Sequence, residues 1–164
     1  LIAADDGDRH VLFCRSKNEE REIWDGFRHG PEAAQQMFGF DEAYAIDELE
    51  AASGAVVNVS SIAGARVHPF AGSAYATSKA ALAALTREMA VEFAHLDVRV
   101  NAVCPGEIET AMLSPEYEDL VPRIPIGRMG APEDVAATIF YLCGADAGYV
   151  TGTEIMITGG QHLI

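Results

Sequence analysis

The sequence predicts an α/β fold in which helices cover a parallel sheet. In its larger part, three short segments rich in valine and isoleucine alternate with two long segments whose composition favours helices. An order of strand, helix, strand, helix, strand is typical of parallel sheets, because each crossover helix returns the chain to the same edge. With 164 residues, 49% of them hydrophobic and 22% charged, the chain is long enough to bury a core.

The first fifty residues contain candidates for two strands and two helices. Val11–Cys14 is a compact apolar run that predicts a strand, and residues 16–28 carry apolar side chains at helical spacing. Gly30-Pro31 interrupts that helix, and proline suits the first position of the next one, over residues 32–38. Residues 44–49 form a further strand candidate.

The remaining residues supply three more strands and two more helices. Strands are predicted over residues 56–59, 98–103 and 152–160, the last ending in a turn. A long helix is predicted over residues 75–95, and its apolar stripe consists of Leu82, Leu85, Met89 and Phe93. A second helix is predicted over residues 132–143, because Pro132 suits a first turn and two acidic residues follow it.

Charge and cysteine usage exclude several classes of function. A formal net charge of -14 repels nucleic-acid backbones and acidic membrane surfaces, so we expect neither as a partner. Cys14, Cys104 and Cys143 are odd in number and lack metal-site spacing, which indicates reduced thiols. No apolar run is long enough for a membrane span and no signal peptide is evident, so we expect a cytoplasmic protein. Leu1 at the start suggests that the chain begins inside a longer one.

Three side chains at fixed spacing point to proton transfer at a carbonyl or hydroxyl group. Ser61 follows the strand at residues 56–59, Tyr75 begins the long helix, and Lys79 lies one helical turn beyond Tyr75. A cation about 4 Å from a phenol favours the phenolate by roughly 4 kcal/mol at an effective dielectric near 20. We therefore expect Lys79 to lower the pKa of Tyr75, and Ser61 to hold the substrate oxygen. The alternative is structural: a helix-start tyrosine, a solvated lysine and a serine cap.

Several longer segments add to this spacing. Residues 53–164 contain, in this order, NVSS, YATSK, NAVCPGEIET, RMGAPEDVA and YVTGTEIMITGG. The same order is found in short-chain dehydrogenases/reductases, and residues 53–164 resemble the C-terminal half of that family. The resemblance implies a partial Rossmann-like, doubly wound sheet and an NAD or NADP cofactor. It also implies that Ser61, Tyr75 and Lys79 are catalytic, and that Tyr75 and Lys79 contact the cofactor. The nicotinamide end would lie along Pro105, Gly106, Ile108 and Thr110.

Residues 3–50 resemble a different family. The segment VLFCRSKNEEREIWDGFRHGPEAAQQMFGFDEAYAIDEL is similar to part of the N-terminal, non-catalytic domain of aminopeptidase P and creatinase-like proteins. The metal ligands of that family lie in another domain, so the resemblance implies no metal site here. We predict two segments, residues 1–52 and 53–164.

Departures from the short-chain pattern keep other functions open. The glycine-rich TGxxxGxG turn, the NAG segment and a helix asparagine of the relay are absent, and Thr158 stands where aspartate is usual. The leading hypothesis is an NAD(P)-dependent oxidoreductase acting on a small alcohol or carbonyl compound. A non-enzymatic truncated or chimeric chain is the alternative, and an aminopeptidase fits poorly because metal ligands are missing. The resemblance implies a homo-oligomer in which the long helix packs against its copy, and alanines beside the leucine stripe permit that approach. The alternative is that these alanines reflect helix propensity alone.

Four further polar residues and one asparagine receive structural interpretations. His68, His95, Glu107 and Glu109 lack metal-ligand spacing, which indicates surface or loop positions. Asn58 is interpreted as a hydrogen-bonding residue of the strand.

Overall fold

The computed structural model describes residues 11–14, 32–33, 36, 42–45, 54–110 and 120–164. The chain divides into two compact units, one of Leu1–Gly54 with Leu96–Val98 and one of Ala55–His95 with Arg99–Ile164.

The described part of the first unit contains a pair of parallel strands. Strand β1 is Val11–Cys14 and strand β2 is Glu42–Ala45, with Val11 opposite Glu42. The prediction of β1 is confirmed, whereas β2 begins two residues before the predicted strand. Residues 32, 33 and 36 are helical. The predicted helix over residues 16–28 lies outside the described residues, as does the remainder of the second predicted strand.

The second unit is the predicted parallel sheet with helices between its strands. Strand β3 is Ala55–Val59, β4 is Arg99–Pro105 and β5 is Glu154–Ile157, in the spatial order β3-β4-β5. Helix α1, Ser73–Phe93, connects β3 to β4, and helix α2, Pro132–Cys143, lies between β4 and β5. Short 3-10 helices occupy Ile62–Gly64, Ala94–Leu96, Ala145–Ala147 and Gln161–Leu163.

Strand β4 forms the centre of the core. It pairs with β3 on one side and β5 on the other, and Val100 to Cys104 are all buried. Such a continuous buried run is typical of a parallel strand covered on both faces. Asn101 has the one side-chain amide in this run. Its NH₂ group donates to the carbonyl of Val150 at 2.8 Å, and its side-chain oxygen accepts from the backbone amide of Thr153, so both polar groups are paired despite their burial.

Helix α1 packs inward along a different stripe from the predicted one. Its buried residues are Ala83, Thr86, Ala90 and Phe93. Of the predicted stripe, Phe93 is buried, but Leu85 is 50% exposed. Ala83 and Thr86 lie where the helix approaches the sheet, and Asn58 on β3 donates to the Thr86 hydroxyl at 2.9 Å. Small and hydroxyl side chains therefore take the inward positions, and Leu85 is displaced outward.

Helix α2 begins as its sequence predicts. Ala131 is the N-cap, Pro132 is in the first turn, and the Asp134 carboxylate accepts the Ala131 amide at 2.8 Å. The acidic side chain thus binds an amide that the helix itself leaves free. No helix in the described part of the chain is both long and apolar enough to cross a membrane.

Candidate active site

The chemistry-bearing residues gather at the carboxyl edge of the three-stranded sheet. Ser60 and Ser61 follow β3, Gly106 and Glu107 follow β4, and Thr158 follows β5. Ligands of open α/β sheets bind beyond this edge, because loops there converge from several strands. The fold therefore brings segments separated by up to a hundred residues to one side of the sheet.

Two reciprocal hydrogen bonds fix Lys79 against the end of β3. The Ser60 hydroxyl donates to the backbone carbonyl of Lys79 at 3.0 Å, and the Lys79 ammonium donates to the carbonyl of Val59 at 2.8 Å. Gly64 permits this approach, since a Cβ there would lie 2.8 Å from the carbonyl carbon of Lys79. We call Val59, Ser60, Ser61, Tyr75 and Lys79 the β3–α1 corner.

Tyr75 stands in the first turn of α1 with its ring open to solvent. The ring is 48% exposed, and the Lys79 nitrogen lies 5.6 Å from its centroid. The helical spacing of four residues places the two side chains on one face, as predicted. The phenol is therefore accessible to a substrate while a cation lies beside it.

Ser61 occupies a capping position that leaves its proton free. It is the N-cap of the Ile62–Gly64 helix, and its hydroxyl oxygen accepts the amide of Ala63 at 3.2 Å. A hydroxyl that accepts a hydrogen bond keeps its O–H available for donation. The structural and the catalytic interpretations of Ser61 are thus compatible.

The segment after β4 is held by a short bridge to the loop before α2. Ile108 pairs with Gly130: the Glu109 amide donates to Gly130 at 2.8 Å, and the Gly130 amide donates to Glu107 at 2.9 Å. This pattern leaves the amide and carbonyl of Ile108 free of the bridge. Pro105 and Gly106 are half-buried and Thr110 is exposed.

Glu107 was expected in a surface or loop position, and it lies in the loop after β4 but is buried. It is 5% exposed, and its Oε1 lies 2.6 Å from Nε2 of His68, itself only partly exposed. His68 belongs to the loop that leads from Ser61 to Tyr75, so this pair ties that loop to the end of β4. The other carboxylate oxygen, Oε2, is buried without a hydrogen-bond partner in the described structure. His95 and Glu109 are exposed, as predicted.

Glu107 also lines an open cleft of about 270 Å³. The cleft lies between the carboxyl ends of β4 and β5 and the loop that precedes α2. Its lining includes both aliphatic and charged side chains. The remaining lining residues are Ile124, Ile126, Arg128, Gly130, Asp134, Met156, Ile157, Thr158 and Gly159.

The two other charged residues of the cleft neutralise each other. Arg128 donates to both carboxylate oxygens of Asp134, at 2.8 and 3.3 Å. The Arg128 guanidinium, together with the Ala131 amide, lowers the pKa of Asp134 to about 2. The pair therefore stays ionised at neutral pH and contributes no net charge to the cleft.

Neither a nucleophilic thiol nor a metal cluster accompanies these groups. Burial, and then the Glu154 carboxylate, raise the pKa of the Cys104 thiol at the end of β4, so the less reactive neutral form is favoured. Among the described residues, no three histidine, cysteine or acidic side chains group closely enough to hold a metal ion.

Comparison with known proteins identifies the family. A family model described as enoyl-(acyl carrier protein) reductase matches residues 40–162, three quarters of the chain, and this stretch contains all the segments from NVSS to ITGG. The chain belongs to the short-chain dehydrogenase/reductase family. A second model, the aminopeptidase P N-terminal domain, matches residues 1–62. Both predicted resemblances are confirmed.

Relatives within the short-chain family differ in how much of this chain they match. Protein FixR of Bradyrhizobium diazoefficiens is 64% identical over 118 residues, which are 71% of this chain and 42% of FixR. The 3-oxoacyl-[acyl-carrier-protein] reductase FabG of Thermotoga maritima is 38% identical over 93% of this chain and 61% of its own. A 3-oxoacyl-[acyl-carrier protein] reductase from Brucella melitensis, solved with NAD, has a TM-score of 0.68 and 32% identity over 73% of this chain and 45% of its own. The chain thus spans about half the length of these short-chain relatives.

Sequence reasoning missed two contributors to this short-chain site. Ser60 was not predicted to contribute, yet its hydroxyl donates to the backbone of α1 and holds that helix on β3. Glu107 and His68 are 39 residues apart and have no motif spacing, so only the fold brings them together. A signal for Ser60 did exist in the doubled serine, since two adjacent hydroxyls at a strand end point to opposite sides.

Proposed function

We propose that this chain is an NAD(P)-dependent oxidoreductase that interconverts a small carbonyl compound and its alcohol through Tyr75, Lys79 and Ser61. The arrangement of Lys79 carries the proposal. Its ammonium lies 2.8 Å from the Val59 carbonyl and 5.6 Å from the Tyr75 ring, so its position is fixed relative to both the strand end and the phenol.

In the reducing direction, Tyr75 gives its hydroxyl proton to the carbonyl oxygen of the substrate. Ser61 donates its free O–H to the same oxygen and holds it beside the phenol. The proton leaves as negative charge develops on that oxygen, and the resulting phenolate lies near the Lys79 ammonium. Solvent returns the proton to Tyr75 through its exposed edge. In the oxidising direction the same groups act in reverse.

The end of β4 fits the nicotinamide portion of the cofactor. The bridge to Gly130 leaves the amide and carbonyl of Ile108 free, and a carboxamide requires one such donor and one such acceptor. Pro105, Gly106 and Thr110 would lie along the same portion. Lys79 uses one of its three N–H donors on Val59, so two remain for ribose hydroxyls. When bound, the nicotinamide supplies or accepts the hydride.

The pyrophosphate end of the cofactor has no counterpart in the sequence. The TGxxxGxG turn is absent, and the glycines at 152, 159 and 160 flank β5 rather than opening an α-helix. This feature favours the second candidate, a chain that folds but lacks a competent dinucleotide site. Cofactor affinity therefore distinguishes the two candidate functions, and it can be measured without a known substrate.

The test is titration of the purified chain with NADH and NADPH, followed by turnover of a 3-oxo ester such as ethyl acetoacetate. The proposed activity requires a saturable change in the fluorescence of NADH or NADPH on binding. It also requires a loss of NADH or NADPH absorbance when the 3-oxo ester is added. A chain with folded circular dichroism that binds neither nucleotide supports the second candidate. Nucleotide binding without turnover would support the proposed nicotinamide site but contradict the proposed reaction.

We also propose that residues 1–52 and 53–164 are separate segments of different ancestry. The two family models overlap over residues 40–62, which bracket that boundary. Limited proteolysis of the whole chain should therefore leave a resistant fragment that begins within residues 40–62 and contains β3 to β5. Resistance that spans the boundary undivided would argue for one segment.

A homo-oligomer formed through α1 completes the proposal. Leu85 is 50% exposed and Val91 is 79% exposed on the outer side of this helix, whereas Ala83 is buried. Leu85→Arg should give a folded monomer, while Ala83→Arg should disrupt the fold because it puts a charge into the core. Light scattering with circular dichroism distinguishes these results, and a monomeric wild-type chain at high concentration would remove the proposal.

A further inference from the structure

We propose that the cleft beside Glu107 binds a primary ammonium group, with Glu107 as the recognition residue. The ammonium site stands on the geometry of the cleft alone. Its assignment to the substrate, as a short amino ketone or amino alcohol, rests on the proposed function.

The charge of Glu107 is the first argument. Its side chain is 1% exposed, and Oε1 is bound by His68 while Oε2 has no partner among the described residues. A buried carboxylate is costly unless it is paired with a positive charge and hydrogen-bonded. The unpartnered oxygen belongs to a residue that lines the cleft, so a ligand there can supply both.

His68 engages one oxygen of this carboxylate. Its Nε2 lies 2.6 Å from Oε1 of Glu107, and its Nδ1 accepts the backbone amide of Phe70 at 3.3 Å. His68 therefore orients the carboxylate and leaves Oε2 without a partner among the described residues.

The other polar groups of the cleft are already engaged. Arg128 and Asp134 form a bidentate pair, and the Thr158 hydroxyl lies 2.6 Å from Nδ1 of His162. Among the described lining residues, Glu107 is thus the one acidic side chain without a basic partner in the lining. The lining side chains carry a formal net charge of -1, which favours a cation over a neutral donor or an anion.

The shape of the cleft restricts the rest of the ligand. Its volume of about 270 Å³ accommodates a short chain, and Ile124, Ile126, Met156 and Ile157 form an apolar wall for methylene groups. Glu107 is bound to His68, whose loop leads from Ser61 to Tyr75. An amine bound at Glu107 would therefore lie beside a residue of the loop that joins Ser61 to Tyr75, and we propose that the substrate extends from there toward those two residues.

Titration of the ¹⁵N-labelled whole chain with propylammonium chloride, and separately with 1-propanol, tests the site by NMR. The two probes have the same size and differ in charge. We expect propylammonium to shift the amide signals of Glu107, Gly130 and Gly159. We also expect it to bind at least about 10-fold more tightly than 1-propanol, because hydrogen bonds between charged groups are stronger than neutral ones by this margin. Equal affinity for the two probes would overturn the proposal.

Two matched variants assign the effect to one carboxylate. Glu107→Gln keeps the size and removes the charge, and should weaken propylammonium binding about 10-fold or more. Glu109→Gln removes an exposed charge two residues away and should leave affinity unchanged. Equal losses in both variants, or shifts spread over the acidic surface, would identify general electrostatic attraction and overturn the proposal. If Glu107→Gln fails to fold, the comparison of the two probes on the wild-type chain still decides it.

The proposed function fails separately. If the chain binds propylammonium at Glu107 but binds neither NADH nor NADPH, the ammonium site is supported, but its assignment to a substrate is not. A chain that binds nucleotide but not propylammonium retains the oxidoreductase proposal and loses the ammonium site.

Discussion

The β3–α1 corner and the Glu107 cleft lie at the same edge of one sheet but differ in how their polar groups are satisfied. In the corner, Ser60, Ser61 and Lys79 each bond to backbone groups. In the cleft, Glu107 and nearby Gln161 each retain a buried oxygen without a partner in the described structure. The free donors of the corner belong to partly exposed side chains, whereas the unpartnered oxygens beside the cleft are buried.

This difference indicates that the corner positions side chains, whereas the cleft suits ligand recognition. Backbone groups hold Lys79 and Ser61 at positions that do not depend on the substrate, which suits chemistry common to a family. The cleft instead displays side-chain charge, which suits selection among substrates. Substitutions in the corner should therefore change rates or stability, and substitutions in the cleft should change ligand preference.

The largest expected effect is that of Tyr75→Phe. Removal of the hydroxyl leaves no proton donor at the carbonyl oxygen, so turnover should fall about 10²- to 10⁴-fold while the fold persists. Steady-state kinetics with NADH or NADPH measures it. Tyr141→Phe on α2 is a matched control, since Tyr141 is 44% exposed and lies away from the corner. Near-normal turnover by Tyr75→Phe would remove this residue from the mechanism.

Lys79→Ala should affect both the rate and the cofactor. The ammonium lies 5.6 Å from the Tyr75 ring, so its loss should leave the phenolate that forms during reduction less stabilised and lower turnover, and weaker nucleotide binding should raise the KM for NAD(P)H. Lys79→Arg keeps the charge and should restore part of the turnover. Wild-type turnover by Lys79→Ala would contradict the electrostatic role of this lysine.

Ser60→Ala should lower stability more than it lowers turnover. The buried hydroxyl joins α1 to β3, and loss of one such bond costs about 1 kcal/mol in the free energy of unfolding. Urea denaturation of Ser60→Ala and Ser78→Ala provides the measurement. Ser78 makes a similar bond, to the Tyr75 carbonyl, but is exposed and joins no second element, so its loss should have the smaller effect. Equal effects would mean that the Ser60 bond does not fasten the corner.

The smallest expected effect concerns Asp134. Its folded-state pKa of about 2 is below the ordinary value of 3.8, so its contribution to stability is present above pH 4 and is lost as pH falls through about 2. Asp134→Asn should therefore make the acid-unfolding transition less steep over this range. Glu133→Gln, on the same helix turn, should leave the transition unchanged. An Asp134→Asn transition that matches wild type would show that the ion pair with Arg128 does not contribute.

Local patterns were sufficient for most elements of the second unit. Val56 and Val100 lie in strands because short apolar runs between helices are buried on both faces, and Pro132 begins α2 because its missing N–H costs nothing there. The fixed spacing of Tyr75 and Lys79 on one helix likewise made their proximity predictable. Each of these features depends on residues close in sequence.

Contacts between distant segments could not be read in the same way. Leu85 matched an inward stripe by hydrophobicity, but the close approach of α1 to the sheet selects Ala83 and Thr86 instead. Glu107 was interpreted as a surface or loop group because it lacks metal-ligand spacing, and its partner His68 belongs to another loop. Hydropathy therefore misplaces residues whose burial depends on a distant partner.

The reciprocal bonds of Lys79 also bear on the order in which the molecule assembles. They join residues 19 and 20 positions apart, whereas the bond from Arg66 to the Gln161 carbonyl spans 95. Closing a short loop costs less entropy than closing a long one, so the corner can form before the chain has returned with β5. In pulse-labelled refolding, we therefore expect the amides of β3 and early α1 to gain protection before those at the end of β5. Lys79 would then reach its position before the cleft between β4 and β5 is complete.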